Sequence, residues 1–513
     1  MNRAILIIGA VMGALIAAVG VLIVVLVVTG GDGGGGGEPR SADELRLRGP
    51  EPLTLDPHIT QDADSAVYVV EIFGGLLTLN PDLQLEADLA QEIPSEENGG
   101  KVVNQDGTVT YTFKLRPDAR FHDRKPVTAE TVKFSLERAA DPATQSLVAE
   151  FFLGDIVGVK EKLAGDAEEI SGVRIVDDST IEITIERDLP SFLFKLTYPT
   201  AFVVDPQQVQ TDDNWTRRPN GTGPYKLEQW RLGERIVLEA NNEYHLGAPI
   251  VQTVRYLLTG SAIVLYEADD VDVAGVALDD LERIQDPADP LHSEYHNGTR
   301  LAVDYIGFNT NAPPFDDLQV REAFARAIDR EQIARVVLQG ALPVANSILM
   351  PGMDAYDPNA AAPEFDPELA QQLLADSEYG GPEGLPALTL AQSGAGATTG
   401  PATQAVVEMW RDNLGVDVQV EQADASTFFQ DVDEGRHQMF LLAWIMDYPD
   451  EENLLNIHFD SESPNNDTFY SNPEVDALLR EALTETNEQR RVELYQQAEQ
   501  MILADVPWFP LFF

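Results

Sequence analysis

Cysteine is absent from the 513-residue sequence. That absence excludes disulfide bonds, thiol catalysis, cysteine-ligated zinc and a lipid anchor attached through a thiol. Basic side chains are scarce, because 34 Lys and Arg stand against 86 Asp and Glu, which gives a formal net charge of −52. A body this acidic repels nucleic acid and anionic lipid heads, so we exclude both as its partners. The length predicts about two to four domains with large hydrophobic cores.

The N-terminus carries a long uncharged run. Residues 4–28 contain no charged side chain, Arg3 precedes them, and acidic residues follow. Such a run predicts a transmembrane helix, because a signal-peptide core has about 7–15 apolar residues. The positive-inside tendency places the rest of the chain on the extracellular or periplasmic side of the cell membrane. We therefore predict a transmembrane signal-anchor over residues 1–28 and a flexible Gly-rich linker over residues 29–41, with a cleaved signal peptide as the alternative.

The body alternates between strand-like and helix-like segments. Apolar and polar residues alternate over residues 107–116 and 179–187, which predicts two half-buried strands. Residues 316–329 repeat apolar side chains at helical spacing, Thr128 is placed to cap a second helix, and Pro473 to open a third. This mixed order without a short repeat predicts α/β layers rather than a solenoid.

An unbroken apolar run, MFLLAWIM, ends abruptly in Asp447, Tyr448 and Pro449. Eight apolar residues without helical spacing predict a strand that is buried on both faces. In open α/β sheets, ligands bind outside the carboxyl ends of the strands. Asp447 is therefore either a ligand-binding group or a residue that hydrogen-bonds within its own turn, a common role for Asp near Pro.

Several longer phrases can be compared together. The phrases are EPLTLDPHITQDADSAVYVVEIFGGLLTLNPD at 51–82, FHDRKPVTAETVKFSLERAADP at 121–142, NGTGPYKLEQW at 220–230, LYEADDVDVAGV at 265–276, YIGFNTNAPPFDDLQVREAFARAIDREQI at 305–333 and MPGMDAYDP at 350–358. In order, spacing and wording they resemble the peptide-binding family of extracellular solute-binding proteins, the receptors of ABC importers for dipeptides, oligopeptides and, in some members, nickel chelates or oligosaccharides. The resemblance runs from about Glu51 to Phe513.

The resemblance implies an α/β, two-lobed fold like that of periplasmic binding proteins, which closes on its ligand like a Venus flytrap. Family chains continue for a few dozen residues beyond the position of Phe513, so a C-terminal segment of the family is expected to be missing here. The implied divisions are lobe I over residues 42–82 and 205–300, an extra inserted subdomain over 83–204, lobe II over 301–506, and a return strand toward lobe I over 507–513.

The resemblance also implies a function and a set of site residues. The chain would bind peptides in an interlobe cleft, without a cofactor and as a monomer, and deliver them to ABC permease and ATPase subunits. Asp447, the last residue of the family's W-x-x-D stretch, would pair with the α-ammonium of the ligand. Trp444 and Tyr448 would supply aromatic walls, and Gln61 and Ala63 would approach the peptide backbone.

The sequence departs from the family in four places. The family's lipid-bearing cysteine is absent, and the hydrophobic segment would do its mechanical work. Arg124 and Asp269 stand where glycine is usual, so those two turns must either differ in geometry or tolerate a side chain. Leu441 occupies the position of an arginine that contacts the ligand's carboxylate in some oligopeptide binders, so any carboxylate clamp must come from elsewhere.

Two short segments of the sequence raise the alternatives of an enzyme and a metal site. Ser393 lies in AQSGA, which is not the nucleophile motif G-x-S-x-G, and we predict no enzyme. His292, Glu294 and His296 form H-x-E-x-H, which could hold a divalent metal but is more often a solvated segment, so we predict no metal site. The alternatives that stay open are the same receptor for an oligosaccharide or a nickel or other metal chelate and, more remotely, a surface hydrolase or adhesin.

Overall fold

The computed structural model describes residues 24–26, 43–298, 300–394 and 399–513. The described chain divides into two compact units. The first comprises the residues up to Ala277 together with Ile284–His296, and the second comprises Leu278–Arg283 and Asn297–Phe513.

The first unit contains two four-stranded sheets. One has the strand order β2-β11-β10-β9 and the other β5-β6-β8-β7, while β3 pairs with β4 and β1 with β12. The strands are β1 Val24–Leu26, β2 Glu44–Arg48, β3 Leu77–Leu79, β4 Leu85–Ala87, β5 Lys101–Val103, β6 Val109–Lys114, β7 Val173–Asp177, β8 Thr180–Ile185, β9 Tyr225–Arg231, β10 Arg235–Ala240, β11 Thr253–Leu257 and β12 Tyr295–Asn297, the last of which ends in the second unit.

The two alternating segments form the strands that the sequence predicts. They are β6 and β8, which pair antiparallel in register from Val109 opposite Ile185 to Lys114 opposite Thr180. Every second side chain of each strand is buried, because side chains of a strand point alternately to its two faces. The period-two pattern therefore gives both the element and its buried face correctly.

Two of the longer helices of the first unit begin at side-chain caps. Thr128 caps α2 in a capping box with Thr131, as its position in the sequence predicts. Asp62 caps α1 by accepting the backbone N–H of Ser65 at 2.8 Å. The helices are α1 Ala63–Ile72, α2 Ala129–Ala139, α3 Ala149–Leu153, α4 Val159–Leu163, α5 Phe192–Lys195, α6 Pro206–Thr211, α7 Ala262–Glu267 and α8 Leu278–Gln285, the last of which begins in the second unit.

The second unit is built on one five-stranded mixed sheet with the order β15-β14-β16-β13-β17. Strand β14 is parallel to both β15 and β16, and β13 is antiparallel to β16 and β17. The carboxyl ends of β14, β15 and β16 therefore lie at one edge of the sheet. The strands are β13 Ala302–Phe308, β14 Leu388–Ser393, β15 Val418–Ala423, β16 Met439–Ile445 and β17 Trp508–Phe512.

Hydrophobic clusters cover both faces of this sheet. Val303 and Tyr305 of β13 belong to one cluster, and Ile306 and Phe308 belong to the other. The MFLLAWIM run forms the central strand β16, as predicted, although only its first two residues are fully buried. A strand with helices or loops on both faces needs apolar side chains at nearly every position, which is why this run shows no alternation.

The helices of the second unit surround the sheet. Asp317 caps the helix expected within residues 316–329, and Pro473 is the first residue of its helix, as predicted. Residues Ile333–Val337 form a π-helical turn after α10. The helices are α9 Leu318–Arg326, α10 Arg330–Gln332, α11 Pro367–Asp376, α12 Pro401–Leu414, α13 Ala425–Asp433, α14 Leu455–Phe459, α15 Pro473–Thr484 and α16 Glu488–Asp505.

Two predictions on the chain's organisation are left open by the described residues. Most of the predicted transmembrane segment, residues 1–28, lies outside them; its three described residues form β1, and no helix of the described ranges is long and apolar enough to span a membrane. The predicted return strand, residues 507–513, contains β17, which pairs with β13 within the sheet of the second unit. The lobe boundaries stay predictions.

Candidate ligand-binding site

Asp447 lies just beyond the carboxyl end of β16, at the edge where β14 and β15 also end. Its backbone N–H donates to Oδ1 of Asn453 at 2.9 Å, and its Oδ2 accepts the side-chain N–H of the same residue at 3.3 Å. Asn453 is fully buried, whereas Asp447 is half-buried. One carboxamide thus closes the turn over residues 447–453 and holds the carboxylate at the sheet edge.

The surroundings of Asp447 disfavour its charge. Burial raises the pKa of the Asp447 carboxyl to about 6; the Asn453 hydrogen bond opposes the rise, and the nearby carboxylate of Glu452 adds to it. No cationic side chain among the described residues forms a salt bridge with Asp447 or lowers its pKa. A desolvated carboxylate in this state gains more from a cationic ligand than a fully hydrated one does.

Trp444 lies on β16, three residues before Asp447, and is opposite Val303 of β13. It is half-buried and packs against the hydrophobic cluster on that face of the sheet. Its indole meets the imidazole of His458 edge to face, with ring centroids 4.3 Å apart. Trp444 Nε1 and His458 Nε2 are both buried, and neither has a hydrogen-bond partner among the described residues. Trp444 thus lies close in sequence to Asp447 and packs against a second aromatic ring, while its role as a wall of the site stays a prediction.

Tyr448 is buried in the structure, and its expected role as an aromatic wall stays a prediction. Its side chain is 1% exposed, and its hydroxyl donates a hydrogen bond to Oε2 of Glu452. Burial raises the pKa of the phenol well above its usual value. Because successive residues of the turn point in different directions, Asp447 faces outward and Tyr448 inward. Tyr448 supports the turn from beneath.

Gln61 and Ala63 belong to the first unit, where they flank the start of α1. Gln61 is exposed, and Ala63 is the first helical residue. The side chain of the intervening Asp62 accepts the N–H of Ser65, and the earliest backbone N–H groups of a helix have no intrahelical acceptor. The two residues thus lie where backbone donors are exposed within their own unit.

The H-x-E-x-H segment is engaged in local hydrogen bonds. Oε2 of Glu294 accepts the hydroxyl of Tyr266 at 2.6 Å, and Nδ1 of His292 lies 3.1 Å from the carbonyl oxygen of Ile284. His296 lies on the short strand that follows. Across the described ranges, no group of three or more His, Asp and Glu side chains is arranged to hold a metal ion.

The departures from the family have structural counterparts. Arg124 and Asp269 adopt φ angles of 74° and 64°, so both turns keep the left-handed backbone that glycine favours and tolerate a side chain in it. Leu441 is half-buried and packs against the second hydrophobic cluster of the sheet. Ser393 is the last residue of β14.

Asn453 and His458 are the parts of the site that sequence reasoning missed. A hydrogen bond between residues six apart in an irregular turn follows no period, so no pattern reveals it. The signal that was available is the amide of Asn453 inside the acidic run DYPDEEN, because a neutral donor among carboxylates has acceptors on every side.

The comparison with protein families agrees with this fold. The profile described as bacterial extracellular solute-binding proteins, family 5 Middle, matches residues 84–466. The chain therefore belongs to family 5 of the bacterial extracellular solute-binding proteins, whose members are receptors and not enzymes. This confirms the predicted family, the α/β two-lobed class of fold and the absence of an enzymatic role.

Individual relatives cover most of the chain. The periplasmic oligopeptide-binding protein OppA of Salmonella typhimurium is 30% identical over 486 residues, which span 91% of this chain and 86% of that protein. The probable deoxycholate-binding periplasmic protein YgiS of Escherichia coli is 28% identical over 481 residues, 90% of this chain and 86% of its own. The structure of the Escherichia coli murein tripeptide binding protein MppA is similar with a TM-score of 0.76 and 26% identity, covering 91% of this chain and 92% of that chain.

Proposed function

We propose that this chain is the substrate-binding component of an ABC importer and that its ligands are di- or oligopeptides. The observation that carries the proposal is the Asp447 carboxylate, which is desolvated and has no cationic partner among the described residues. A charge-assisted hydrogen bond to a cation is worth about 1.5–3 kcal/mol to such a group. The N-terminal ammonium of a peptide is a cation of this kind. Relatives named for oligopeptides and for a murein tripeptide support the same ligand class.

Each predicted site residue has a role in this proposal. Asp447 binds the N-terminal ammonium, and Trp444 offers an indole surface that accepts varied side chains. Tyr448 acts from beneath the turn by holding it in shape. In the first unit, Gln61 and Ala63 are proposed to contact the backbone of the peptide. Backbone contacts of this type suit a receptor that accepts many sequences, because every peptide presents the same main chain.

The proposal also covers the attachment of the receptor to the membrane and its division into lobes. Residues 1–28 act as a transmembrane signal-anchor and residues 29–41 as its flexible linker, which leaves the monomeric body outside the cell membrane near the permease and ATPase subunits. The uncharged run of the first segment and the glycines of the second support this arrangement. The divisions are lobe I over residues 42–82 and 205–300, an inserted subdomain over 83–204, lobe II over 301–506 and a return strand over 507–513.

A different solute is the second candidate. One relative with 28% identity to this chain is named for deoxycholate, which is a ligand of another class. Oligosaccharides and metal chelates are further solutes of this kind. None of these three carries an α-ammonium, so their binding would leave Asp447 without a cationic partner. Dependence on a free amine therefore separates the two candidates.

The test begins with mass spectrometry of the small molecules released when the purified chain is denatured. Calorimetric titrations with Gly-Ala-Ala and N-acetyl-Gly-Ala-Ala follow. We expect free-amine peptides in the eluate, and an affinity for the free amine at least about 30-fold higher than for the acetylated form. Recovery of a sugar, a bile acid or a chelate, together with no measurable binding of either peptide, would contradict the proposal.

A further inference from the structure

The two oxygens of Asp447 have different surroundings. Oδ2 accepts the side-chain N–H of Asn453 at 3.3 Å. Oδ1 has no hydrogen-bond partner among the described residues. The carboxylate thus has one oxygen committed to the protein and one oxygen open.

Asn453 cannot turn away to release the committed oxygen. Its side-chain Oδ1 accepts the backbone N–H of Asp447 at 2.9 Å, and its own backbone N–H donates to the carbonyl of Asp450 at 3.0 Å. Its amide also contacts the hydroxyl of Tyr448. Asp450 in turn forms two hydrogen bonds with Arg491, of 3.0 and 2.7 Å. A fully buried amide with these partners has one orientation available.

We propose that Asn453 makes Asp447 a one-oxygen acceptor and thereby selects ligands that carry an ammonium group over ligands that carry a guanidinium group. This inference rests on the proposed function. An ammonium is a compact charge that binds a single oxygen well, because its N–H groups rotate to meet one acceptor. A guanidinium gains its advantage from two parallel N–H···O bonds to two carboxylate oxygens. Because Oδ2 already accepts the fixed Asn453 amide, a guanidinium would have to share that oxygen, which weakens its second bond, and Asn453 acts as a positioning residue for specificity.

The ligands for the test differ at the N-terminal group alone. Gly-Ala-Ala carries an ammonium, and its N-amidino derivative carries a guanidinium of the same charge on the same backbone. Calorimetry gives the ratio of their affinities for the wild-type chain and for Asn453→Leu, which removes both hydrogen bonds to Asp447 at nearly constant volume. Asn456→Leu is the matched control, because Asn456 is buried in the neighbouring helix and bonds Leu479 and Tyr495 instead.

We expect the wild-type chain and the Asn456→Leu control to prefer the ammonium ligand by about tenfold or more, the value of one lost charge-assisted hydrogen bond. In Asn453→Leu the ratio should fall by about the same factor, because the freed carboxylate can present both oxygens. A purely structural role would weaken both ligands equally and leave their ratio unchanged.

Two results would overturn the inference while leaving the proposed function intact. One is a wild-type ratio near one with tight binding of Gly-Ala-Ala, and the other is an unchanged ratio in a folded Asn453→Leu variant. If that variant does not fold, the wild-type ratio decides. Failure of the wild-type chain to bind Gly-Ala-Ala at all would instead remove the proposed function and this inference together.

Discussion

Peptide binding by this receptor should depend on pH through Asp447. Burial raises the pKa of its carboxyl to about 6 in the free protein. If the ionised form alone accepts an ammonium ligand, about 90% of the free receptor is competent at pH 7 and about 10% at pH 5. The affinity for Gly-Ala-Ala should therefore fall about tenfold over this range. The ligand's own amine stays charged throughout, because an α-amino group titrates near pH 8.

The substitution that tests this is Asp447→Asn. Asparagine keeps an oxygen that can accept the N–H of Asn453 but removes the negative charge. Loss of one partner of a buried charge pair costs about 2–5 kcal/mol, so the affinity at pH 7 should fall by at least about 30-fold and lose its pH dependence. Asp304→Asn is the matched control, since burial raises the pKa of Asp304 to about 6 as well, within the same sheet.

Isothermal titration calorimetry measures both quantities. Affinities at pH 5, 6 and 7 give the profile, and titration at pH 6 in buffers of different ionisation enthalpy gives the proton release. About half a proton should leave per ligand bound at pH 6, because half of the Asp447 side chains are protonated there. An affinity that is flat from pH 5 to 7, or an Asp447→Asn variant that binds as tightly as the wild type, would refute the reasoning.

Three further predictions concern other residues. Glu499 accepts two backbone N–H groups at 2.8 and 2.7 Å, and burial raises its pKa to about 7. The stability of the wild type should therefore fall as pH rises from about 4.5 to 7, because the buried carboxyl must ionise. In urea titrations, Glu499→Gln should raise the free energy of unfolding by about 2–3 kcal/mol at pH 8 and by little at pH 4. Burial lowers the pKa of His58 to about 4, so the free energy of unfolding should fall as pH drops from about 6.5 to 4. Urea titrations of His58→Gln should show that this loss of stability is smaller by about 3 kcal/mol. A variant whose stability falls with pH as steeply as that of the wild type would contradict the role given to His58. Trp444→Leu should weaken peptide binding about tenfold in calorimetry and leave the pH profile unchanged, because it removes an apolar contact and no charge.

The sequence predicts strands well where burial alone sets the pattern of apolar residues. β16 is uniformly apolar because clusters cover both faces of its sheet, and the period-two alternation of β6 and β8 marks strands with one buried face. The cap at Thr128 follows from a side chain that bonds a nearby backbone N–H group. All of these signals are local in sequence, so they can be read without knowing the fold.

The candidate site is less accessible to the same reasoning. The position of Asp447 follows from the rule that ligands lie beyond the carboxyl ends of strands. The inward orientation of Tyr448 does not, because a turn residue's direction depends on backbone angles that sequence leaves open. The bond between Asp447 and Asn453 depends on how residues 448–452 fold back. Irregular turns are fixed by their side-chain partners, and those partners emerge once the chain is folded.

The acidic turn also explains why Asp447, among its neighbours, is the residue to which a ligand should bind. Asp450 is paired with an arginine of α16, Glu451 accepts a backbone N–H, and Glu452 accepts a tyrosine hydroxyl. Each of those three side chains is buried, and a buried carboxylate persists where such partners satisfy it. Asp447 differs because it is half-buried and its charge has no cationic partner among the described residues. The three inner acids therefore stabilise the turn, and the unmatched carboxylate at the sheet edge is left for a cation from outside the chain.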